Sequence, residues 1–363
     1  MLLSKIMLKN SQKANFSNRS LETFIMVKNF QPEVENFSKM INEHFKLISG
    51  TANRKLAEEV SKILKLPLTP VEIKRFSDGE IYCRILESVR GCDVFIIQPT
   101  SPDASLNLME LLIMIDALKR SSPNKITAVI PYYGYCRQDK KTKPREPITA
   151  KLVANMLEVA GADRIIMFDV HVAQVQGFFD IPSDNLEVVP VFADYIAGKR
   201  IKDMVIVSPD AGGASRARSL AKVLNANIAI VDKRRPEANV AEVENVIGDV
   251  AGKAVFVVDD IIDTAGTITE AAKILIKFGA KEVYVAATHG VLSNPAAERI
   301  MNSPIKEVII TNTIDIPKEK RVSKLKVLSI ADLLAETIKR THEGLPMGVF
   351  YEDMYKKLEQ KIK

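Results

Sequence analysis

The sequence predicts an α/β protein with two similar domains, each a mostly parallel sheet flanked by helices. Three observations lead to this prediction. Short β-branched runs alternate with longer amphipathic stretches along the chain. Several of the short runs are almost wholly apolar, which is typical of strands buried on both faces of a parallel sheet. The alternation occurs twice, with a junction near residue 185.

Turn residues and changes of period define the elements of the first half. The turn Ser77–Gly79 joins two strands into a hairpin, Pro131 ends a strand, and Gly161 ends a helix. The predicted strands are Phe45–Ser49, Val71–Arg75, Ile81–Ile85, Val94–Gln98, Ile126–Ile130 and Arg164–Phe168. The predicted helices are Ala52–Leu66, Leu106–Lys119 and Ile148–Val159.

The second half repeats the alternation of apolar runs and helical stretches. The predicted strands are Met204–Val207, Ile228–Val231, Ala254–Val258, Glu282–Ala287 and Glu307–Ile310. The predicted helices are Ala214–Leu224, Ile268–Phe278 and Ala331–Arg340. Polar clusters follow several of these strands, at the carboxyl edge where sheets of this class bind ligands.

We expect four segments along the chain. Residues 1–43 form a poorly ordered extension, and residues 346–363 form a helical tail. Between them lie an N-terminal α/β domain, residues 44–185, and a C-terminal α/β domain, residues 186–345. The first 21 residues contain no acid, which is compatible with organellar targeting by residues 1–39. The alternative is an unstructured extension, or a true start at Met40.

Composition excludes several classes of function. The net charge is +6, but five basic residues and one acid lie in the first 30 residues, so the rest is close to neutral. A broad basic face for nucleic acid is therefore not expected, and the absence of Trp weakens a stacking role on single strands. The longest apolar runs are too short to cross a membrane. Three cysteines without metal-ligand spacing suit a reducing, cytoplasmic compartment.

A phosphate-binding loop is predicted at Val255–Thr267. A buried strand there leads into two adjacent acids, Asp259 and Asp260, then into a turn of small residues and a helix. The turn offers backbone N–H groups at a helix N-terminus, where phosphate binds readily. The acids can accept hydrogen bonds from ribose hydroxyls, so a ligand with hydroxyls beside one phosphate fits. The alternative is an ordinary capped helix whose acids only favour the helix dipole. The segment resembles the phosphoribosyl-diphosphate-binding motif of the phosphoribosyltransferase fold.

Five further segments, spread over roughly residues 45–340, resemble those of the ribose-phosphate pyrophosphokinase family and follow its order. They are the hairpin Phe76–Glu80, the loop Tyr132–Asp139, the stretch Asp169–Asp180, the loop Ser208–Gly213 and the basic loop Asp232–Val240. Each segment alone has an ordinary structural explanation, and the joint occurrence is what is specific. The resemblance implies two phosphoribosyltransferase-like domains.

The resemblance also implies an activity and a set of site residues. The chain would use Mg²⁺ to move the β,γ-diphosphoryl group of ATP to the C1 hydroxyl of ribose 5-phosphate, giving phosphoribosyl diphosphate and AMP. Lys233 and Arg235 would be catalytic. The residues implied for ATP are Phe76, Asp78, Gly79, Glu80, Arg137 and Gln138. Those implied for ribose 5-phosphate are Arg235, Asp259, Asp260, Asp263, Thr264, Ala265, Gly266 and Thr267. Those implied for metal are His171 and Asp210, with Asp169, Asp180 and Asp184 as a further cation site.

Further expectations come from the same resemblance. The subunits would associate into dimers and hexamers, with the Asp78–Glu80 hairpin reaching ATP of a neighbouring subunit. Ala265 stands where many family members carry Gly, so we expect a negative φ at this position.

Two other functions stay open at this point. A phosphoribosyltransferase would share the Asp259–Thr267 loop but would need neither the nucleotide-binding segments nor a doubled domain. A non-catalytic regulatory partner would have an interrupted catalytic loop, whereas Asp232–Pro236 and Asp210 are intact. Fold alone does not decide between these functions.

Overall fold

The alternating strands and helices are those of an α/β protein, as predicted. The structure is a computed structural model that describes residues 44–234 and 243–362, so the extension predicted for residues 1–43 lies outside the described part. The strands are β1 Phe45–Ser49, β2 Val71–Arg75, β3 Ile81–Ile85, β4 Asp93–Ile97, β5 Lys125–Ile130, β6 Arg164–Phe168, β7 Ser183–Leu186, β8 Met204–Ser208, β9 Asn227–Arg234, β10 Val243–Ile247, β11 Ala254–Ile262, β12 Glu282–Gly290, β13 Ile305–Thr311 and β14 Leu325–Leu328. The helices are α1 Arg54–Leu64, α2 Ala104–Lys119, α3 Thr149–Ala160, α4 Val189–Gly198, α5 Ala214–Leu224, α6 Gly266–Lys277, α7 Ala296–Met301, α8 Ala331–Glu343 and α9 Met347–Ile362.

The strands form two large sheets and one hairpin. The first sheet has the order β1-β4-β5-β6-β7, and β4 through β7 pair in parallel. The second has the order β10-β9-β8-β11-β12-β13-β14 and is parallel except for the β9–β10 pair. Strands β2 and β3 form a separate antiparallel hairpin. The loops after β8 and β11 therefore leave from one edge of the second sheet, where ligands of such folds bind.

Each large sheet packs against its own buried apolar cluster. Ile96 and Leu111 belong to the cluster of the first sheet, and Val257 and Leu275 belong to that of the second. Burying such side chains contributes about 1.5–3 kcal/mol each. Ile261 on β11 contacts both clusters, so the loop that follows β11 is anchored between them.

Two elements near residue 185 were not predicted. Strand β7 contains no apolar run, so the sequence pattern did not indicate it. It is defined by its parallel pairing with β6 at the edge of the sheet. Helix α4 begins at Val189, with Pro190 in the first turn, where a missing N–H costs nothing. The described residues from Lys46 onward form one compact unit, and the predicted domain boundaries stay a prediction.

Candidate active site

The predicted sugar-phosphate loop joins β11 to α6. Asp259 and Asp260 lie near the carboxyl end of β11, and Asp263 to Ala265 form the turn before α6. No described side chain caps the N-terminus of α6, so its first N–H groups can bind an anion. Thr264 and Thr267 are exposed beside this turn.

The backbone at Ala265 is left-handed, with φ of 61°, so the expectation of a negative φ is wrong. The chain must turn sharply from β11 into α6 at this residue, and the Ala265 methyl is buried in the turn. A residue with a Cβ costs about 1–2 kcal/mol in this conformation. The structure therefore has the same turn that Gly would favour, with a small side chain tolerating it.

A network of charges holds the two adjacent acids. The Nδ1 atom of His171 lies 2.8 Å from Oδ2 of Asp260, which is almost fully buried. Arg216 on α5 places Nη1 3.4 Å from Oδ1 of Asp260 and 3.6 Å from Oδ1 of Asp259. Segments from three parts of the chain thus meet at one pair of carboxylates.

The two carboxylates have opposite pKa shifts. Burial raises the pKa of Asp259 to about 7, and the neighbouring charge of Asp260 acts in the same direction. Burial opposes ionisation of Asp260 as well, but the hydrogen bond from His171 and the charge of Arg216 hold its pKa well below its usual range. The same hydrogen bond raises the pKa of His171. Asp260 is therefore the ionised member, held by the hydrogen bond from His171 and the charge of Arg216.

The predicted nucleotide loop contacts the predicted sugar-phosphate loop directly. Arg137 donates a hydrogen bond of 2.8 Å from Nη1 to Oδ2 of Asp263. Burial raises the pKa of Asp263, but hydrogen bonds from Ser293 and Arg137 outweigh it and keep the pKa low. The other oxygen, Oδ1, is buried and has no hydrogen-bond partner among the described residues. It is an acceptor that no described group satisfies.

The turn that carries His171 is fixed by several hydrogen bonds. Asp169 accepts from the Thr288 hydroxyl (2.6 Å) and from the Val188 N–H (3.3 Å). Burial raises the pKa of Asp169 to about 6 against these hydrogen bonds. His289, which is fully buried, has Nε2 3.0 Å from the carbonyl oxygen of Phe168. Burial lowers the pKa of His289 to about 4, so it holds this turn as a neutral ring.

A cavity of about 440 Å³ lies between this turn and α5. Asp169, His171, Gly212 and Arg216 line it. Asp210 is exposed just before α5, and its Oδ1 accepts a hydrogen bond of 3.0 Å from the Gly213 N–H. The loop at Asp210 and the turn at His171 therefore border one cavity.

Two of the acids expected near the metal are not brought to this cavity. Strand β7 runs parallel to β6, and Asp184 lies opposite Ile166, before the carboxyl end of the sheet. Its carboxylate accepts a hydrogen bond of 2.6 Å from Arg164, at the start of β6. Asp180 is exposed, and its N–H donates to Glu158 on α3 (2.7 Å). The direction of β7 thus accounts for the position of Asp184, and neither acid lines the cavity beside His171.

The remaining predicted residues lie in three places. Gln138 accepts a hydrogen bond of 2.6 Å from Thr149, at the start of α3. The hairpin tip is exposed from Phe76 to Glu80, and Gly79 adopts φ of 96° there. The backbone of Lys233 belongs to β9 and pairs with Glu244, but its side chain lies outside the described part, as does all of Arg235.

The donor set at this cavity is compatible with Mg²⁺. Among the described residues, no three His, Cys, Asp or Glu side chains gather to enclose a metal ion. Mg²⁺ needs no such cage, because it keeps several waters and takes one or two carboxylates together with substrate phosphates. Nδ1 of His171 is hydrogen-bonded to Asp260, which leaves Nε2 for a metal ion or for a water bound to it. The exposed carboxylate of Asp210 can serve as a direct ligand.

Sequence reasoning missed Arg216, Asn185, Thr288 and His289. Arg216 lies on an amphipathic helix among other basic residues, and nothing local separates it from them. Asn185 accepts from the Val170 N–H (3.0 Å), but it belongs to the unpredicted strand β7. Of these four residues, only Thr288 and His289 could have been recognised from the sequence, because they are adjacent polar residues at the end of an apolar strand.

Comparisons with known proteins agree with this architecture. Residues 45–161 match the family described as the N-terminal domain of ribose phosphate pyrophosphokinase. Residues 239–352 match the phosphoribosyl synthetase-associated domain. In the described part of the chain, no helix has the length and apolar character needed to span a membrane.

Individual relatives cover most of the chain. The ribose-phosphate pyrophosphokinase of Corynebacterium ammoniagenes is 54% identical over 314 residues, which are 86% of this chain and 99% of that protein. The enzyme of the same name from Bacillus subtilis is 56% identical over 302 residues, covering 83% and 95%. The crystal structure of phosphoribosylpyrophosphate synthetase from Mycobacterium smegmatis superposes with a TM-score of 0.79 at 46% identity, covering 83% of this chain and 99% of that one.

The fold and the loop after β11 define a protein of the phosphoribosyltransferase type with two such sheets. At this identity and coverage, the chain belongs to the ribose-phosphate pyrophosphokinase family. The matches extend over both sheets and do not favour the phosphoribosyltransferase or the regulatory alternative.

Proposed function

We propose that this chain transfers the β,γ-diphosphoryl group of ATP to the C1 hydroxyl of ribose 5-phosphate, giving phosphoribosyl diphosphate and AMP. The observation that carries the proposal is the 2.8 Å contact between Arg137 of the nucleotide loop and Asp263 of the sugar-phosphate loop. That contact joins two loops that a diphosphoryl transfer needs side by side. Two further observations support the proposal: the relatives are named ribose-phosphate pyrophosphokinase, and His171 is hydrogen-bonded to Asp260.

The chain's own residues position the two substrates. The N–H groups at the start of α6 bind the 5-phosphate, and the carboxylates of Asp259 and Asp263 accept hydrogen bonds from ribose hydroxyls. Arg137 binds ATP with a planar guanidinium that can stack on the base. The C1 oxygen then attacks the β-phosphorus, the bond from that phosphorus to the α-phosphate oxygen breaks, and AMP leaves. Catalysis rests on positioning and charge stabilisation, with no covalent intermediate on the protein.

Positive charge for the transferred group has two proposed sources. Asp210, and His171 through a water, would hold Mg²⁺, which would supply positive charge near the phosphates. Lys233 and Arg235 would stabilise charge as the bond to AMP breaks. Asp169 orients the His171 turn through its hydrogen bonds, and we do not retain Asp180 and Asp184 as ligands.

A coupled assay tests the proposal. We expect AMP release that requires both ATP and ribose 5-phosphate, is abolished by a chelator, and returns when Mg²⁺ is added in excess. The physical reason is that two polyanions repel each other without the cation. A chain that releases no AMP, yet consumes phosphoribosyl diphosphate with a nucleobase, would instead be a transferase.

Subunit association is part of the proposal. The hairpin tip is exposed in the single chain, with the Phe76 side chain 57% accessible, which suits insertion at the ATP site of a neighbouring subunit. Dimers assembled into hexamers would bring each tip to such a site. With three cysteines that are free and no disulfide among the described residues, we propose a cytoplasmic location.

Complementation between two inactive variants tests this arrangement. We expect Asp78→Ala and Lys233→Ala each to be nearly inactive alone, because each removes one part of every site. A refolded mixture should recover activity, since some sites then receive an intact hairpin from one subunit and an intact loop from another. Activity is measured as AMP release against mixing ratio. A mixture of co-assembled subunits that stays as inactive as either variant would place the hairpin and the loop in the same subunit's site.

A further inference from the structure

Helix α9 packs back onto the side of the molecule that carries the candidate site. It contacts α4 and α5, with Leu358 buried in between. Lys361 near its end donates a hydrogen bond of 2.6 Å to Asp194 on α4. The matched family region ends at residue 352, so most of the part that makes these contacts lies beyond it. Through the contacts of Leu358 and Lys361, α9 is packed against α4 and α5.

One polar contact of α9 is directed at the chain between β7 and α4. The hydroxyl of Tyr351 donates a hydrogen bond of 3.0 Å to the carbonyl oxygen of Glu187. Burial raises the pKa of Tyr351, and the negative charge of Asp169 acts in the same direction, so the two residues are electrostatic neighbours. The hydroxyl stays neutral and remains a donor at physiological pH.

The segment that Tyr351 holds is itself tied to the His171 turn. Asn185 accepts from the Val170 N–H (3.0 Å), the Leu186 carbonyl accepts from the Asp169 N–H (3.0 Å), and the Val188 N–H donates to the Asp169 carboxylate (3.3 Å). Three hydrogen bonds thus join residues 185–188 to residues 169–170. The backbone one residue further on carries His171.

The cavities on the two sides of this segment share residues. The site cavity of about 440 Å³ and a second cavity of about 620 Å³ between α5 and α9 are both lined by Glu187 and Ser219. Tyr355, one turn after Tyr351, lines the second cavity. Within the 185–188 segment, Glu187 therefore borders both cavities. The candidate metal–nucleotide site lies on one side of this residue and α9 on the other.

We propose that Tyr351 is a positioning residue for the nucleotide half of the site, acting through the Glu187 carbonyl on the turn that carries His171. The inference rests on the proposed function, because the proposed function assigns the binding of ATP with Mg²⁺ to the turn that carries His171. Ribose 5-phosphate is held by the loop after β11. The three hydrogen bonds of residues 185–188 described above lead to residues 169–170 and not to that loop. The two substrates should therefore respond differently when the hydroxyl is removed.

Tyr351→Phe is the test, since it deletes the hydroxyl and keeps the ring. We expect the KM for ATP with Mg²⁺ to rise about fivefold, the size expected from one hydrogen bond, with little change in the KM for ribose 5-phosphate. The dissociation constant for ATP with Mg²⁺, measured by calorimetry without ribose 5-phosphate, should rise by a similar factor. Tyr355→Phe is the matched control, because it makes the same chemical change on the same helix, where the Tyr355 hydroxyl makes no hydrogen bond to the described residues.

Each outcome decides the question. The inference is overturned if Tyr351→Phe and Tyr355→Phe give the same KM for ATP, or if the KM values for both substrates rise together, as general loosening would produce. Absence of AMP release from the unmodified chain would refute the proposed function instead. The calorimetric comparison of the two variants would then still report whether Tyr351 acts on nucleotide binding.

Discussion

Arg216→Met is expected to lower kcat/KM for ribose 5-phosphate by about 100-fold or more. Arg216 is the cation that approaches both Asp259 and Asp260, and its side chain is only 21% accessible. Removing one partner of a buried ion pair costs about 3–5 kcal/mol because it leaves charge uncompensated. About 1.4 kcal/mol corresponds to a tenfold change in rate, which sets the expected factor.

The loss should fall on the sugar phosphate for an electrostatic reason. Without Arg216, the ionised Asp260 faces an incoming phosphate with only the hydrogen bond from His171 to stabilise its charge. Repulsion then opposes binding of the anionic substrate, and the carboxylates lose the orientation in which they accept ribose hydroxyls. Steady-state kinetics with each substrate varied in turn measures the effect.

Arg218→Met is the matched control for this experiment. Arg218 lies on the same helix, two residues on, and is exposed to solvent. The same change of side chain there removes a surface charge, whose expected effect is within about 1 kcal/mol. Arg216→Lys keeps the charge but lacks the planar guanidinium. Its kcat/KM for ribose 5-phosphate should lie between those of the Arg216 and Arg218 methionine variants. Equal kinetics for the Arg216 and Arg218 methionine variants would remove Arg216 from the site.

The sequence predicted best those features that depend on neighbouring residues. The hairpin β2–β3 has the predicted ends, because Ser77–Gly79 is a local turn signal and its flanking runs are β-branched. Helix α5 also has the predicted ends. The loop after β11 could be recognised for the same reason, since a buried strand, two acids and a small-residue turn follow one another without interruption.

Features that depend on pairing across the chain were not predictable. Asp184 was expected at a further cation site from the family resemblance, and only the direction of β7 reveals that it lies beside Arg164. Arg216 gave no signal, because its role comes from the approach of α5 to β11. The left-handed φ of Ala265 comes from the demands of the turn and overrides the preference of the residue.

Lys233→Ala is expected to lower kcat by about 100- to 1,000-fold, the usual loss when one preorganised charge-stabilising donor is removed. Ile230 on β9 lies opposite Ser208, the last residue of β8, so the backbone at Lys233 extends beyond that strand's carboxyl end. Asp259 and Asp260 extend past the same edge on β11, where Val257 lies opposite Val207. The register therefore brings the backbone at Lys233 to the edge where the sugar-phosphate loop begins.

Binding and turnover should separate in this variant. Negative charge develops on the leaving oxygen of AMP as that bond breaks, so a cation placed there acts on kcat more than on the binding of ribose 5-phosphate. Calorimetry should give unchanged affinity for ribose 5-phosphate, and Lys233→Arg should retain more activity than Lys233→Ala. Lys273→Ala, an exposed lysine on α6, is the control for loss of one positive charge. Turnover by Lys233→Ala equal to that of the Lys273 control would exclude Lys233 from the mechanism, and charge stabilisation would then rest on Mg²⁺ and the remaining cations of the site.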